Sequence, residues 1–216
     1  MNILSVALTP TPEQAARLAE LQAAFALACN TLFPIAIGQR CWNRVALHHL
    51  AYHPLRQRFP RLGAQMVCNA IYSVSRTCRL LFQHPASPWY AARMGDRPLP
   101  RIEFAPTAPV FFDRHTLSLR PDGVSLYTLD GRMRFSLALA PEVAARFRHE
   151  RLREIVLYRQ GEGYVLAFHF RSEDAAVPPA ASAELPEYVI VHTDTSLAQA
   201  AGGCANSSLT TYGLLA

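Results

Sequence analysis

The sequence predicts an α+β fold in which a helical unit separates one strand from a series of short strands. Apolar residues recur every three or four positions from about residue 11 to residue 83, which is typical of helices. From residue 101 they alternate as in strands, and Asp-Gly pairs at 122–123 and 130–131 indicate tight hairpins. With a first strand in residues 2–10, about seven short strands are expected, enough for a small closed or half-closed β-barrel.

The first helix has a clear start signal. Thr11 is placed as the N-cap, Pro12 at the first helical position and Gln14 three residues after the cap, which together predict a capping box. We expect this helix to pack inward until Pro34 disturbs it. The residues expected on its buried face are Leu18, Leu21, Phe25, Ala28 and Leu32.

Two more helices complete the predicted helical unit. One is expected over about residues 35–50 and the other within residues 61–83, followed by the Pro-rich stretch "HPASPWY". In the third helix, Met66, Ala70, Val74 and Leu81 are expected to point inward. Arg76 and Arg79 fall on its other faces.

The remaining chain is predicted as strands with one short helix. The strand-like stretches are "RIEF", "PVFFD", "TLSLR", "VSLYTLD" and "RMRFSLAL". Pro141 starts a short helix, and "REIVLYRQGEGYVLAFHFR" predicts a hairpin around "QGEG". Residues 172–187 are rich in Ala and Pro and predict a linker, beyond which the apolar run 189–191 predicts a last strand.

Positive charge is concentrated in the helical unit. Every basic residue is arginine, and between Leu21 and Ile102 there are ten arginines and one acidic residue, Asp96. From Ser172 onward there are five acidic residues and no arginine. This distribution is typical of a protein that binds a polyanion. A solvated basic face without a ligand, in a chain whose arginine content reflects genomic composition, is the alternative.

Aromatic residues are interleaved with these arginines. Such rings stack on bases in nucleic-acid-binding proteins, although core packing is the more general role of any single one. The residues concerned are Trp42, Tyr52, Phe59, Tyr72, Trp89 and Tyr90.

Cysteine content and hydropathy indicate a cytoplasmic protein. The five cysteines form no Cys-x-x-Cys pair, and their odd number argues against a disulfide framework. No signal peptide is recognisable at the N-terminus. Residues 21–39 are uncharged, but polar residues interrupt them, so a buried helix is expected here rather than a membrane span.

The sequence offers little support for catalysis or metal binding. Asp194 follows the last apolar run, where a metal-binding carboxylate of an RNase H-like nuclease would stand, but no Asp or Glu follows it. Two-metal cleavage needs several convergent carboxylates. His49 and His53, two turns after Cys41, have zinc-compatible spacing, but ordinary histidines are the favoured interpretation. No Gly-x-Ser-x-Gly turn or Gly-rich phosphate loop is present.

Four phrases, taken together and in order, resemble the TnpB (OrfB) family of RNA-guided nucleases of insertion sequences, which is related to the type V CRISPR effectors. The resemblance covers roughly residues 3–200, the N-terminal half of the family. The phrases are "LTPTPEQAARLAELQAAFALACN", "WNRVALHHLAYHPLRQRFPRLGAQMVCNAI", "FFDRHTLSLRPDGVSLYTLDGR" and "EIVLYRQGEGYVLAF".

The resemblance implies a wedge-type, OB-like β-barrel with an inserted helical recognition domain, plus a C-terminal fragment of an RNase H-like (RuvC) domain. The implied segments are residues 1–10 and 91–171 for the barrel, 11–90 for the helical domain, 172–187 for the linker and 188–216 for the start of the RuvC-like domain. In the family, an Asp, a small residue and Gly end the first RuvC strand, whereas here Thr195 and Ser196 follow Asp194. The second and third RuvC acidic motifs and the zinc ribbon are absent from the sequence.

The family pattern also suggests which residues contact nucleic acid. It implies that Tyr52 and Gln65 read the short DNA motif beside the target, with Asn69 assisting, since glutamine binds adenine bidentately in the major groove. A helix-start role for Gln65 is the alternative. The arginines expected to contact the nucleic-acid backbone are Arg40, Arg44, Arg56, Arg58, Arg61, Arg76 and Arg79.

Three hypotheses of function follow from these observations. The first is a truncated, nuclease-dead TnpB-like protein that binds guide-type RNA and double-stranded DNA, with no cofactor and with Asp194 as a vestigial catalytic residue. The second is the N-terminal part of an active endonuclease, in which a separately encoded or frameshifted RuvC remainder completes a Mg²⁺ site. The third is a stand-alone barrel that binds a protein or a small ligand. No membrane contact is expected, and the oligomeric state stays open.

Overall fold

The computed structural model describes residues 2–120, 122–137, 140–170 and 186–192, and it confirms the α+β class. The helices are α1 (Pro12–Gly38), α2 (Arg44–Arg58), α3 (Ala64–Phe82), α4 (Ala91–Met94) and α5 (Pro141–His149). The strands are β1 (Asn2–Leu8), β2 (Arg101–Phe104), β3 (Val110–Phe112), β4 (Leu117–Arg120), β5 (Gly123–Thr128), β6 (Gly131–Ser136), β7 (Leu152–Gln160), β8 (Gly163–Phe170) and β9 (Val189–His192).

The described strands form three antiparallel sheets. One has the order β1-β8-β7-β3, a second pairs β2 with β9, and the third is the meander β4-β5-β6. All pairings are antiparallel. None of these sheets closes into a barrel within the described residues. Eight described strands precede residue 171, where the sequence predicted about seven.

Helix α1 begins as predicted but does not end where Pro34 suggested. The Thr11 hydroxyl accepts from the Gln14 N–H at 3.3 Å, and the Gln14 side chain accepts from the Thr11 N–H at 3.0 Å, so the capping box is present. All five residues of the predicted inward face are buried. The helix then continues through Pro34 to Gly38, because Phe33 and Ala36 on either side of the proline are buried in the core and hold the helix direction.

The predicted bounds of the second helix are wrong, because a turn rather than a helix follows α1. Arg40 adopts a φ of 44°, and the Cys41 N–H donates to the Ala36 carbonyl at 2.9 Å, which closes the last turn of α1. Helix α2 then starts at residue 44, where the Asn43 side chain accepts from the N–H groups of Val45 and Ala46.

Helix α3 and the predicted hairpins agree with the sequence analysis. Met66, Ala70, Val74 and Leu81 are buried, and Arg76 and Arg79 are exposed. Two-residue connections join β4 to β5, β5 to β6 and β7 to β8 at the predicted places. A short helix starts at Pro141, also as predicted.

Helices and strands share one hydrophobic core. Helix α1 packs on α3, on β2 and on β3, and α3 packs on β3 as well as on α2. Buried residues from the helices, from the four-stranded sheet and from the meander belong to the same cluster. The helical stretch thus lies between β1 and β2 in the chain but packs on the strands that follow it; the division into a helical and a barrel domain stays a prediction.

Two amide side chains on α1, the buried Gln22 and the half-buried Asn30, bind the backbone around the end of β2. The Asn30 amide donates to the Phe104 carbonyl at 3.0 Å and accepts from the Phe104 N–H at 2.7 Å. The Gln22 amide donates to the carbonyls of Thr107 and Ala108 at 3.1 and 3.3 Å. These backbone groups have no partner on a neighbouring strand, and the amide side chains satisfy them instead.

By length and composition, α1 is apolar enough to cross a membrane, although half of its most apolar stretch is buried inside this fold. Cytoplasmic localisation stays a prediction.

The last described strand adds to the β2 edge. Residues 189–192 pair with β2, the Tyr188 ring stacks on Phe104 at 6.5 Å, and His192 contacts Glu103 at 3.0 Å. The linker and the segment from residue 193, which includes Asp194, lie outside the described residues, apart from residues 186 and 187 at the linker end.

We predict that Gly123→Ala destabilises the fold. A Cβ at Gly123 would overlap the carbonyl oxygen of Phe135 on the paired strand, so the β5–β6 pairing would have to shift. A loss of about 1–3 kcal/mol in the free energy of unfolding is expected from such overpacking. Chemical denaturation measures it, and Gly163→Ala is the matched control, because its Cβ would come no closer than 3.7 Å to other atoms. Equal stability of the two variants would contradict the prediction.

Candidate nucleic-acid interface

Helices α2 and α3 present a surface without negative charge of their own. Between Arg44 and Phe82 the sequence contains six arginines and no Asp or Glu. The two helices pack against each other, so their outward faces adjoin. Acidic groups can reach this surface only from other elements.

One side of α3 carries a line of residues that are half-buried or exposed. They are separated by three or four positions and therefore lie on one helix face. We call this line the α3 stripe; it consists of Gln65, Cys68, Tyr72, Arg76 and Arg79.

Aromatic rings lie beneath the guanidinium groups at the middle of the stripe. The Arg44 guanidinium, from the start of α2, lies 5.3 Å from the centroid of the Tyr72 ring. Tyr72 packs edge-to-face on Phe111 of β3, with centroids 5.8 Å apart. The Arg76 guanidinium lies 5.6 Å from the same Phe111 ring. Both cations are therefore held over rings, at distances where cation–π attraction operates.

Arg76 is also tied to the sheet by an ion pair. Its guanidinium lies 2.6 Å from the carboxylate of Glu154 on β7, and the Glu154 side chain is only 9% exposed. The Glu154 carboxylate also acts on His169 of β8: burial lowers the pKa of that imidazole, and Glu154 acts in the opposite direction. Removing Arg76 would leave a buried carboxylate unpaired, which is costly in itself. Arg76 therefore has a structural role besides any contact with a ligand.

The side chains of three of the seven predicted arginines make no hydrogen bond or ion pair with another described residue. These are Arg44, Arg58 and Arg79, all exposed. Arg44 contacts the Tyr72 ring, and Arg58 lies 5.9 Å from the Phe59 ring centroid. Their charges are not neutralised by neighbouring carboxylates in the described part of the chain, so they remain available to an anion.

Arg61 is neutralised by two carboxylates. Its guanidinium lies 2.7 Å from Glu20 of α1 and 2.7 Å from Asp130 in the β5–β6 turn. All three side chains are about half exposed, so the contribution of each pair to stability is small. Arg61 is less suited to a phosphate contact than the sequence suggested, because two anions already occupy its guanidinium.

Arg40 and Arg56 bind backbone carbonyls. Arg40 donates to the carbonyls of Gly95 and Arg97 at 2.8 and 3.2 Å, which joins the end of α1 to the segment after α4. Arg56 donates to the carbonyls of Phe59 and Leu62 and so holds the turn between α2 and α3. Both keep their positive charge, but their donors are partly used.

Tyr52 belongs to an aromatic group on α2 rather than to the α3 stripe. Its ring stacks on His48, with centroids 4.7 Å apart and an interplanar angle of 18°, and meets His53 edge-on at 5.3 Å. No described contact joins Tyr52 to Gln65. His49 and His53 do not form a metal site with a third ligand, since the described residues contain no cluster of three His, Cys, Asp or Glu side chains suited to a metal.

Gln65 joins the start of α3 to the turn after β3. Its amide nitrogen donates to the Asp113 carboxylate at 2.5 Å. The other oxygen of that carboxylate accepts from the N–H groups of His115 and Thr116. The alternative role for Gln65, satisfying donors at its own helix start, is not observed. Base reading by its nitrogen would require the bond to Asp113 to open.

Asn69 is placed inside the protein, which is a correction to the sequence-based assignment. It is 6% exposed, and its amide donates to the Phe111 carbonyl at 2.9 Å. Lying one helical turn from Gln65, it points to the sheet rather than to solvent. In this arrangement Asn69 cannot reach a base, and its role is to hold α3 against β3.

Sequence reasoning missed the acidic and aromatic partners that other elements supply. Phe111, Asp113 and Glu154 were assigned only to strands and turns, although they organise the stripe. The helical spacing of Gln65, Cys68, Tyr72 and Arg76 was a usable signal, because it marks a side of α3 that the apolar residues leave free. The strand partners carry no such signal, since their positions depend on how the sheet packs.

Comparison of the chain with models of known protein families gives no match, and comparison with curated proteins gives none either.

We predict that Asn69→Leu lowers the free energy of unfolding by about 1–3 kcal/mol, because the Phe111 carbonyl loses its buried donor. Urea denaturation measures the loss. Gln65→Leu is the control, since its half-buried site lets water replace the lost donor and a smaller effect is expected. A larger loss for Gln65→Leu than for Asn69→Leu would contradict this assignment.

Proposed function

We propose that the chain binds nucleic acid through a surface formed by the α3 stripe together with Arg44. The observation that carries this proposal is the acid-free pair α2 and α3, on which Arg44, Arg58 and Arg79 have no carboxylate partner among the described residues. Arginine forks match phosphate oxygens in geometry and charge. A phosphodiester chain supplies such oxygens at regular spacing.

The position of Arg44 favours an anionic ligand further. Arg44 is the first residue of α2, whose first turn contains no acidic side chain. Its cation therefore lies beside the positive end of the helix dipole, an unfavourable arrangement that a bound phosphate would relieve. The Tyr72 ring beneath Arg44 orients the guanidinium, so less conformational entropy is lost on binding.

The resemblance to TnpB gives this proposal its more specific form. We propose RNA-guided binding, with guide-type RNA and double-stranded DNA as partners. On this view residues 1–10 and 91–171 correspond to a wedge-type, OB-like barrel and residues 188–216 to the start of a RuvC-like domain. Tyr52 and Gln65 remain candidates for reading the DNA motif beside the target. The proposal concerns binding, since the surface that supports it contains no described catalytic group.

Arg44→Ala combined with Arg79→Ala is the sharpest test of this surface. Neither side chain has an ion-pair partner among the described residues, so the pair can be removed without stranding a buried carboxylate, as Arg76→Ala would. Loss of two phosphate contacts should weaken binding of every nucleic-acid sequence and reduce the salt slope of log K by roughly 1.8 for duplex DNA. Fluorescence anisotropy at several salt concentrations measures both quantities.

Arg148→Ala combined with Arg151→Ala is the matched control. It removes the same charge from exposed positions in and just after α5 that are not among the residues of the proposed surface. Its effect should be limited to the small loss expected from lower net charge. If both double variants weaken binding equally, or if the unaltered chain binds no nucleic acid at low salt, the proposal is wrong.

Cys68 provides a second test, because it lies within the α3 stripe. Burial raises the pKa of its thiol, so labelling by maleimide should be slow but measurable at a half-buried position. A bound nucleic acid should slow the labelling of Cys68 several-fold. Cys41 is the internal control, being half-buried outside the stripe, whereas burial raises the pKa of Cys29 to about 12 and should keep it unlabelled. Unchanged Cys68 labelling at saturating ligand would place the binding surface elsewhere.

A further inference from the structure

The meander β4-β5-β6 has one face that no other described element covers. Its inner face contributes buried residues such as Val124, Leu126 and Met133 to the core. Alternation along the strands places polar side chains on the opposite face, which we call the meander face. Its charged and hydroxyl residues are Ser118, Arg120, Ser125, Arg132, Arg134 and Ser136.

Strand register brings these side chains into adjoining rows. Ser118 is opposite Ser125, which is opposite Arg134. In the next row, Arg120 is opposite Gly123, which is opposite Ser136. Gly123 has no side chain, so the surface is recessed at the middle of the second row. The result is a cleft of about 450 Å³ between arginines of the two outer strands.

Arg132 is fixed in place beside this cleft. Its guanidinium donates to the Ser118 hydroxyl at 3.3 Å, to the Ser125 hydroxyl at 3.4 Å and to the His115 carbonyl at 3.1 Å. It also lies 4.4 Å from the centroid of the Tyr127 ring. The positive charge and the two hydroxyl groups are thus preorganised, while Tyr127 remains 41% exposed.

The guanidinium groups of Arg120 and Arg134 differ from that of Arg132 in making no hydrogen bond or ion pair with other described residues, although the Arg134 carbonyl accepts from the Gln14 amide at 3.2 Å. Both line the cleft, and Asp122 is the acidic residue that lines it with them. Three guanidinium groups therefore face one carboxylate across a concave polar surface. This arrangement leaves an excess of positive charge and unused donors at the same place, as expected of a site for anionic oxygens.

We propose that the meander face binds the phosphodiester groups of a single-stranded polynucleotide, with a base stacked on Tyr127. The cleft has the size of a small-ligand site, too small to enclose a duplex but sufficient for a phosphate and its sugar. Exposed aromatic rings beside basic grooves are the usual platform for unpaired bases. The inference rests on nucleic-acid binding by this chain, and it adds a contact surface separate from the α3 stripe.

Arg120→Ala combined with Arg134→Ala tests the meander face. Affinity for labelled single strands of about twelve nucleotides is measured by anisotropy, with oligo-dT and oligo-U as separate arms. We expect roughly tenfold weaker binding and a salt slope lower by about 1.4, the value for two phosphate contacts on a single strand. Arg148→Ala combined with Arg151→Ala again controls for net charge. Weaker binding of the double variant in both arms, or in one arm only, supports the proposal. The arm or arms affected identify whether the face accepts deoxyribose, ribose or both.

Tyr127 supplies an independent measurement on a variant that keeps all charges. Tyr127→Leu should weaken binding by about fivefold or more through lost stacking, whereas Tyr127→Phe should bind as the unaltered chain does. The proposal is overturned if two results are found together. One is equal affinity of the Arg120/Arg134 and Arg148/Arg151 double variants, and the other is no effect of Tyr127→Leu. If Arg44→Ala with Arg79→Ala still weakens binding in that case, only the meander face is ruled out and nucleic-acid binding stands.

Discussion

Amide side chains on the helices hold the backbone of residues 104–111 in place. Asn30 pairs with both backbone groups of Phe104, Gln22 binds two carbonyls just beyond it, and Asn69 binds the Phe111 carbonyl. These amides are largely buried, so each bond satisfies groups that water cannot easily reach. The connection between β2 and β3 is thereby fixed against α1 and α3. Both the four-stranded sheet and the small β2–β9 sheet depend on where that connection lies.

The same bonds determine which side of α3 faces solvent. Asn69 fixes one side of the helix on β3, and the residues that remain outside form a line flanked by Arg44. Glu154 neutralises Arg76 of that line but not Arg79. The meander face arises by a different route, because strand alternation alone separates its arginines from the core. One chain therefore displays two basic surfaces, one positioned by tertiary hydrogen bonds and the other by local strand geometry.

Local signals in the sequence predicted the features that local physics controls. The Thr11 cap, the inward face of α1 and the Asp-Gly hairpins were correct, since capping, periodicity and turn chemistry act within a few residues. The break at Pro34 was wrong, because burial on both sides outweighs one missing backbone bond. Asn69 was assigned to base reading, although its partner is a carbonyl 42 residues away. Similarly, only the assembled fold shows which arginines are neutralised by carboxylates, as Arg61 is by Glu20 and Asp130.

The bond between Asn30 and Phe104 has a consequence for biosynthesis. The two residues are separated by 74 positions, so α1 is translated well before the backbone that its polar side chains require. Until that backbone emerges from the ribosome, Asn30 and Gln22 must remain hydrated within the uncharged and mostly apolar part of the helix. Closing so long a loop is slow compared with forming a helix. A nascent chain halted before residue 104 should therefore expose α1, and chaperones that recognise apolar helices should engage it during that interval.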